Sequence, residues 1–68
     1  MDKKAVKEDF KKEIGGAFAN ISQIARYFGF SRNTVAADLM GVPYIPKGRN
    51  RYYFYQDVID RYADHSKL

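Results

Sequence analysis

Apolar residues recur at helical spacing near the N-terminus of the chain. Val6, Phe10 and Ile14 are spaced i, i+4, i+8, and this stripe predicts an amphipathic helix over residues 3–14. The rest of the segment carries lysines and acids that nearly cancel. Two interpretations stay open for this charged arm, residues 1–19. It is either a basic helix laid on DNA or on a membrane surface, or a solvated helix that packs loosely through one face.

A second apolar stripe begins shortly after a pair of glycines. Ile24 and Phe28 are spaced i, i+4 and predict a short helix over residues 21–28. Asn20 and Gln23 have the spacing of a capping box, in which each side chain bonds to the other residue's backbone N–H. The sequence therefore predicts where this helix begins as well as which face it buries.

A tight turn and a third helix follow directly. Gly29 stands where the preceding helix must stop and where the chain needs a positive φ. Ser31 can cap the next helix through its side-chain oxygen. We predict that this helix extends to about Met40, with Val35 and Leu39 facing the core. Two short helices around a glycine turn are the pattern of a helix-turn-helix.

The next segment has the composition of a β-hairpin. After Gly-Val-Pro at 41–43, two aromatic, β-favouring stretches flank a turn of Pro, Gly and Asn, which predicts a hairpin over 44–54. Its tip carries the cations Lys47, Arg49 and Arg51. These either contact a phosphate backbone or a minor groove, or they form a solvated turn that protects an edge strand from aggregation.

A last apolar stripe predicts a closing helix over residues 56–63 that contributes to the core. Its members are Tyr55, Val58, Ile59 and Tyr62. We expect the tail, residues 64–68, to be frayed. The chain thus divides into the arm 1–19, a mainly helical domain over 20–63 and a short tail.

Composition narrows the classes of protein. Sixty-eight residues allow one small domain, whose six Tyr and five Phe can each bury a large area. Because the chain has no Cys, neither disulfides nor a cysteine-based zinc site stabilise it. No apolar run approaches the length of a membrane span, and no secretory h-region follows the N-terminus. We expect a cytoplasmic protein without a cofactor or a membrane partner.

The positive charge is concentrated in one part of the chain. The formal net charge is +4, and residues 32–51 alone carry four cations against Asp38, a balance of +3. Such a focus indicates a polyanionic partner, although a modestly basic solvated surface is the simpler alternative. Its coincidence with a helix-turn-helix pattern favours double-stranded DNA.

The second helix of this pattern supplies the candidate base contacts. Its N-terminal part enters the major groove in helix-turn-helix proteins. Asn33 can bond an adenine edge, and Arg32 can bond a guanine or a phosphate. Thr34, Ala36 and Ala37 complete the face, the alanines offering only close approach and contact with a thymine methyl group. The alternative for Arg32 and Asn33 is ordinary helix-start chemistry.

Backbone contacts are expected from helix N-termini and from the hairpin. Ser22, Gln23 and Ser31 lie where amide groups and the helix dipole favour a phosphate. The hairpin tip adds five more candidate residues: Lys47, Gly48, Arg49, Asn50 and Arg51. We refer to these five residues as the wing.

Nothing in the sequence favours catalysis or a metal. The one histidine, His65, lies in the tail beside residues that cannot converge on one point. Asp57, Asp60 and Asp64 share a helix face, but no oxygen-rich loop accompanies them. A solvated face is the expected role of these acids, and we expect no enzyme activity.

Five short motifs carry a resemblance to a known family: Ile24-Ala25, Phe28-Gly29-Phe30-Ser31-Arg32-Asn33-Thr34-Val35, Gly41-Val42-Pro43, Gly48-Arg49-Asn50-Arg51-Tyr52-Tyr53-Phe54 and Gln56-Asp57-Val58. In this order they resemble the winged helix-turn-helix of the MerR type, and within that group the excisionases of phages and integrative elements. The resemblance covers residues 20–63. It implies a mainly α fold with a small β-hairpin.

The resemblance also implies a function. Excisionases bind repeated sites near an attachment end, bend DNA and direct an integrase toward excision, without catalysis of their own. Ala36 and Ala37 stand where the family commonly has a bulky polar residue, so we expect a sparse reading face compensated by cooperative self-association on DNA. A small phage-type transcription regulator on the same fold and a protein-interaction module are the alternatives.

Overall fold

The computed structural model of the chain describes residues 2–64. In chain order its elements are α1 (Lys3–Ile14), β1 (Phe18–Ala19), α2 (Ile21–Phe28), α3 (Arg32–Asp38), β2 (Ile45–Lys47), β3 (Asn50–Phe54) and α4 (Tyr55–Asp64). Within this part of the chain the fold is therefore mainly helical, with four helices and a small antiparallel sheet of three strands. The predicted mainly α class with a β-hairpin is confirmed at this level.

Helix α1 has the predicted bounds but a different role. Asp2 caps it by accepting a hydrogen bond from the Lys4 N–H at 3.1 Å, and Gly15 ends it with φ 73°. Val6 is buried, and Phe10 is 0% exposed, with its ring 4.9 Å from that of Tyr27. The expectation of loose packing is therefore wrong, because this apolar stripe completes the hydrophobic core.

The start and end of α2 and the start of α3 lie where the capping residues predict them. Both bonds of the Asn20 capping box are present, and Gly29 has φ 75°, with its N–H bonded to the Ala25 carbonyl at 2.9 Å. Ser31 caps α3 as predicted. This helix ends at Asp38, two residues before the expected Met40, because the chain turns there through 3₁₀-type backbone bonds.

The sheet contains one strand that the sequence pattern does not reveal. Its order is β1-β3-β2, so β3 is central. The hairpin β2–β3 is confirmed, with Lys47 opposite Asn50. Strand β1 pairs Phe18 with Phe54 and Ala19 with Tyr53, in a segment of only two residues that has no measurable periodicity. Its conformation follows from tertiary pairing and not from local preference.

The core lies between the helices and one face of the sheet, and α2 and α3 contribute Ile24 and Val35 to it. Tyr53 of β3 is 1% exposed, whereas its neighbour Tyr52 is half-buried on the opposite face. Val58 and Ile59 of α4 are fully buried, as the predicted stripe requires. Helix α4 extends one residue beyond the prediction at each end, so Asp64 is helical and not frayed. The remaining tail positions, 65–68, lie outside the described residues.

The contact between α1 and α2 predicts a pH dependence of stability. The Tyr27 hydroxyl donates a hydrogen bond to Asp9, and burial together with this bond raises the pKa of Tyr27 from 10.0 to about 12. Since the folded value is the higher one, this stabilisation is complete below pH 10 and is lost as the pH rises toward 12.

Tyr27→Phe tests this dependence, because the variant keeps the ring but lacks the ionisable group. We expect the free energy of unfolding of the wild type to fall more steeply than that of the variant between pH 10 and pH 12. Urea titrations followed by circular dichroism at several pH values measure it. Parallel losses in the two proteins would contradict this assignment.

Candidate nucleic-acid interface

Helix α3 presents one face to the core and the other to solvent. Val35 and Leu39 are buried, and this fixes the rotation of the helix about its axis. Arg32, Asn33 and Ala37 are exposed on the remaining surface. Asn33 and Ala37, four residues apart, lie on the side away from the core, and Arg32 stands at the N-terminal tip of the helix, as the sequence predicted.

Three of the predicted contact residues are held or partly covered by the surrounding structure: Ser31, Thr34 and Ala36. The Ser31 hydroxyl accepts a hydrogen bond from the Thr34 N–H at 3.1 Å and donates one to the Thr34 hydroxyl at 2.8 Å. Both side chains are exposed, but they are oriented by capping of the helix. Ala36 is half-buried, so it contributes less surface than Ala37.

The first turn of α2 holds the other two predicted backbone contacts. Ser22 is half-buried, and Gln23 uses its side-chain oxygen to accept a hydrogen bond from the Asn20 N–H at 3.0 Å. This bond stabilises the helix start and fixes the Gln23 side chain beside it. The side-chain NH₂ group of Gln23 has no acceptor within residues 2–64 and can donate to a phosphate.

Arg61 of α4 fixes the far end of α3, and sequence reasoning did not identify it. Its guanidinium donates hydrogen bonds to the carbonyl oxygens of Met40 at 2.9 Å and Asp38 at 3.3 Å. These carbonyls lie at the C-terminal end of α3, where the helix supplies no partner. The bond joins positions more than twenty residues apart, so no local pattern signals it.

The wing is the tip of the hairpin, where residues 48–49 form a two-residue turn and the cations are exposed. Gly48 has φ 61° at the first central position, a conformation that tight hairpin turns require and that glycine adopts without strain. Lys47 and Arg49 are exposed at the tip. The Arg51 guanidinium lies 4.9 Å from the centre of the Tyr44 ring, a cation–π contact that orients it along the hairpin.

The cations of α1 are partly neutralised within the molecule. The Lys3 and Lys7 ammonium groups lie 2.8 and 3.1 Å from the Asp60 carboxylate. The hydrogen bond from Lys3, assisted by Lys7, holds the pKa of Asp60 below its ordinary value although burial opposes this shift. The expectation of a purely solvated acidic face is therefore wrong for Asp60, which joins α4 to α1.

Two of the cations of α1 form ion pairs with Asp60, but those of the predicted interface do not. Within residues 2–64, no acidic side chain forms an ion pair with Arg32 or with the wing cations. Their charge is directed to solvent, so the balance of +3 in residues 32–51 stays available to a polyanion. The same described range contains no cluster of acidic or histidine side chains suited to a metal, and no helix in it is long and apolar enough to cross a bilayer.

No protein-family model matches the sequence, and no curated protein and no solved structure matches it either.

Proposed function

We propose that this chain is a sequence-specific double-stranded DNA-binding protein of a phage or mobile element, acting as an excisionase. In this proposal α2, α3 and the β2–β3 hairpin form a winged helix-turn-helix of the MerR type. The observation that carries the proposal is the exposure of Arg32 and Asn33 at the start of a helix that buries Val35 and Leu39, together with wing cations that have no acidic partner among residues 2–64.

In this proposal α3 makes the contacts with the DNA bases. Its first turn enters the major groove, where the Asn33 amide bonds the adenine N6 and N7 positions and Arg32 bonds a guanine edge or a phosphate. Ala37 allows close approach and contacts a thymine methyl group. Arg61 supports this step from behind, because it fixes the C-terminal end of α3 on α4.

The wing supplies affinity that does not depend on sequence. Lys47 and Arg49 at the tip contact phosphates or enter the minor groove, where the negative potential favours arginine. Arg51 keeps its guanidinium oriented by stacking on Tyr44, so less side-chain entropy is lost on binding. Phosphates also lie at the start of α2 and α3, near Ser22 and Ser31.

Because the DNA-contacting face of α3 carries two alanines, a single copy of the protein has only modest specificity for a DNA sequence. Several copies on repeated sites, binding cooperatively, compensate for this sparse interface. Aligned copies also bend the DNA, which brings an attachment end into the geometry an integrase needs for excision. Cooperative binding predicts a Hill slope above one on a fragment with several sites, and a slope of one there would argue against it.

Asn33→Ala tests base reading. We expect this variant to lose about 1–3 kcal/mol of preference for the specific duplex over a scrambled one, with binding to the scrambled duplex unchanged. Fluorescence anisotropy with both duplexes measures the preference. Gln56→Ala is the matched control, because it removes an exposed side-chain amide from α4. Equal preference in Asn33→Ala and wild type would remove Asn33 from the reading face.

Excision and transcription are separated by a reconstituted reaction. With the integrase of the same element and a plasmid carrying its attachment sites, an excisionase raises the yield of excised circles and a transcription regulator does not. A regulator instead changes transcript levels from a neighbouring promoter. The third candidate, a protein-interaction module, binds the integrase without binding DNA.

A further inference from the structure

The solvent side of the sheet is an apolar surface, which we call the outer sheet face. It consists of Phe18, Ile45, Tyr52 and Phe54, which the strand register places as two facing pairs, Phe18 with Phe54 and Ile45 with Tyr52. Phe18 is 44% exposed and Ile45 is 53% exposed. Large apolar groups grouped in this way mark an interaction surface more often than a solvated one.

Opposite charges lie at the two ends of the outer sheet face. Lys47 lies two residues from Ile45 on β2 and therefore on the same side of the sheet, at the hairpin end. Asp57, in the first turn of α4, lines the same shallow cavity as Phe18 and Phe54 at the other end. Neither charged group forms an ion pair within residues 2–64.

A surface with this layout is complementary to itself. Strand β3 runs between the two charged ends, and its five residues span about 13 Å, four steps at the rise of a strand. A two-fold axis that lies parallel to the sheet, between the two copies and perpendicular to β3, places one apolar centre against the other and exchanges the charged ends. Lys47 then meets the partner's Asp57, and Asp57 meets the partner's Lys47.

We propose that the occupant of the outer sheet face is a second copy of this chain, in a two-fold symmetric dimer. Its centre buries the aromatic and aliphatic side chains, and its rim consists of the two exchanged ion pairs. Arg51 points to the opposite side of the sheet, and Arg49 lies at the tip, so both remain free to contact DNA in the dimer, whereas Lys47 contacts a phosphate only in the monomer. The dimer forms without DNA, so its test does not depend on the proposed function.

Charge-reversal variants test the proposed ion pairs, because binding restored in a mixture of two such variants requires an interface between copies of this chain. Lys47→Glu places like charges against the partner's Asp57, and Asp57→Lys places like charges against the partner's Lys47. We expect each variant alone to dimerise at least about tenfold more weakly than wild type. Mixed in equal amounts, the two variants pair every cation with an acid, so a heterodimer should form with affinity close to that of wild type.

Sedimentation equilibrium without DNA, over micromolar to millimolar protein, measures these states, and circular dichroism confirms that each variant is folded. Ile45→Thr should also weaken the dimer, whereas Met40→Thr, which changes a side chain that is 71% exposed elsewhere, should not. A monomeric wild type throughout this range would overturn the proposal and assign the face to a different partner. Single variants that dimerise like wild type, or a mixture without heterodimer, would overturn it as well.

Discussion

Arg49→Ala combined with Arg51→Ala is expected to weaken binding to all DNA duplexes by a similar factor, about tenfold or more at low salt. Both guanidinium groups are free of acidic partners within residues 2–64, so their charge is available to phosphates. Because each phosphate contact releases counterions, the slope of log affinity against log salt should fall by about two. Anisotropy titrations at several salt concentrations measure both effects.

The control for this double variant removes the same charge from another surface. Lys4→Ala combined with Lys12→Ala takes two exposed cations from α1, outside the proposed interface. We expect this control to change the salt slope little. If the wing variant and the α1 variant lose affinity equally, binding depends on net charge alone and the wing has no special role.

Phe10→Ala is expected to have the largest effect on stability. The side chain is 0% exposed and its ring contacts those of Tyr27 and Phe28 at 4.9 and 5.7 Å. Removing a buried phenyl ring costs about 3–5 kcal/mol, against about 3–10 kcal/mol for the whole stability of a domain this small. We therefore expect the variant to be largely unfolded or close to its midpoint without denaturant, as urea titration followed by circular dichroism would show.

Two further variants separate packing from charge in α1. Phe10→Leu keeps the site apolar and should lose less stability than Phe10→Ala, while Lys12→Ala on the exposed side should be close to wild type. If Phe10→Ala unfolds at the wild-type urea concentration, α1 is not part of the core. In that case the sequence interpretation of a loosely packed arm would be restored.

Local chemistry explains which parts of the fold the sequence reveals. Asn20, Gly29 and Ser31 act on groups within a few residues of themselves, through capping bonds or a positive φ. These signals can be recognised in the sequence because the groups that interact are near one another along the chain. The ends of the helices that they cap were therefore predicted closely. The hairpin is equally local, since its turn residues and paired strands are contiguous.

Long-range contacts explain what the sequence does not reveal. Strand β1 exists because Phe18 and Ala19 pair with β3, and nothing in their own residue types demands it. The Arg61 bonds to the end of α3 and the Lys3 contact with Asp60 also join distant positions. For the candidate interface, residue types were predictable, while exposure and the absence of ion pairs within residues 2–64 needed the tertiary structure.

The central claim is that α3 and the wing bind DNA, and a footprint of the purified protein tests it most directly. The probe is the DNA of its own element, including the attachment end and neighbouring promoters, at two salt concentrations. We predict protection in repeats near the attachment end that weakens at the higher salt concentration. Protection confined to a promoter would favour a transcription regulator, and no protection at either salt concentration would contradict the claim.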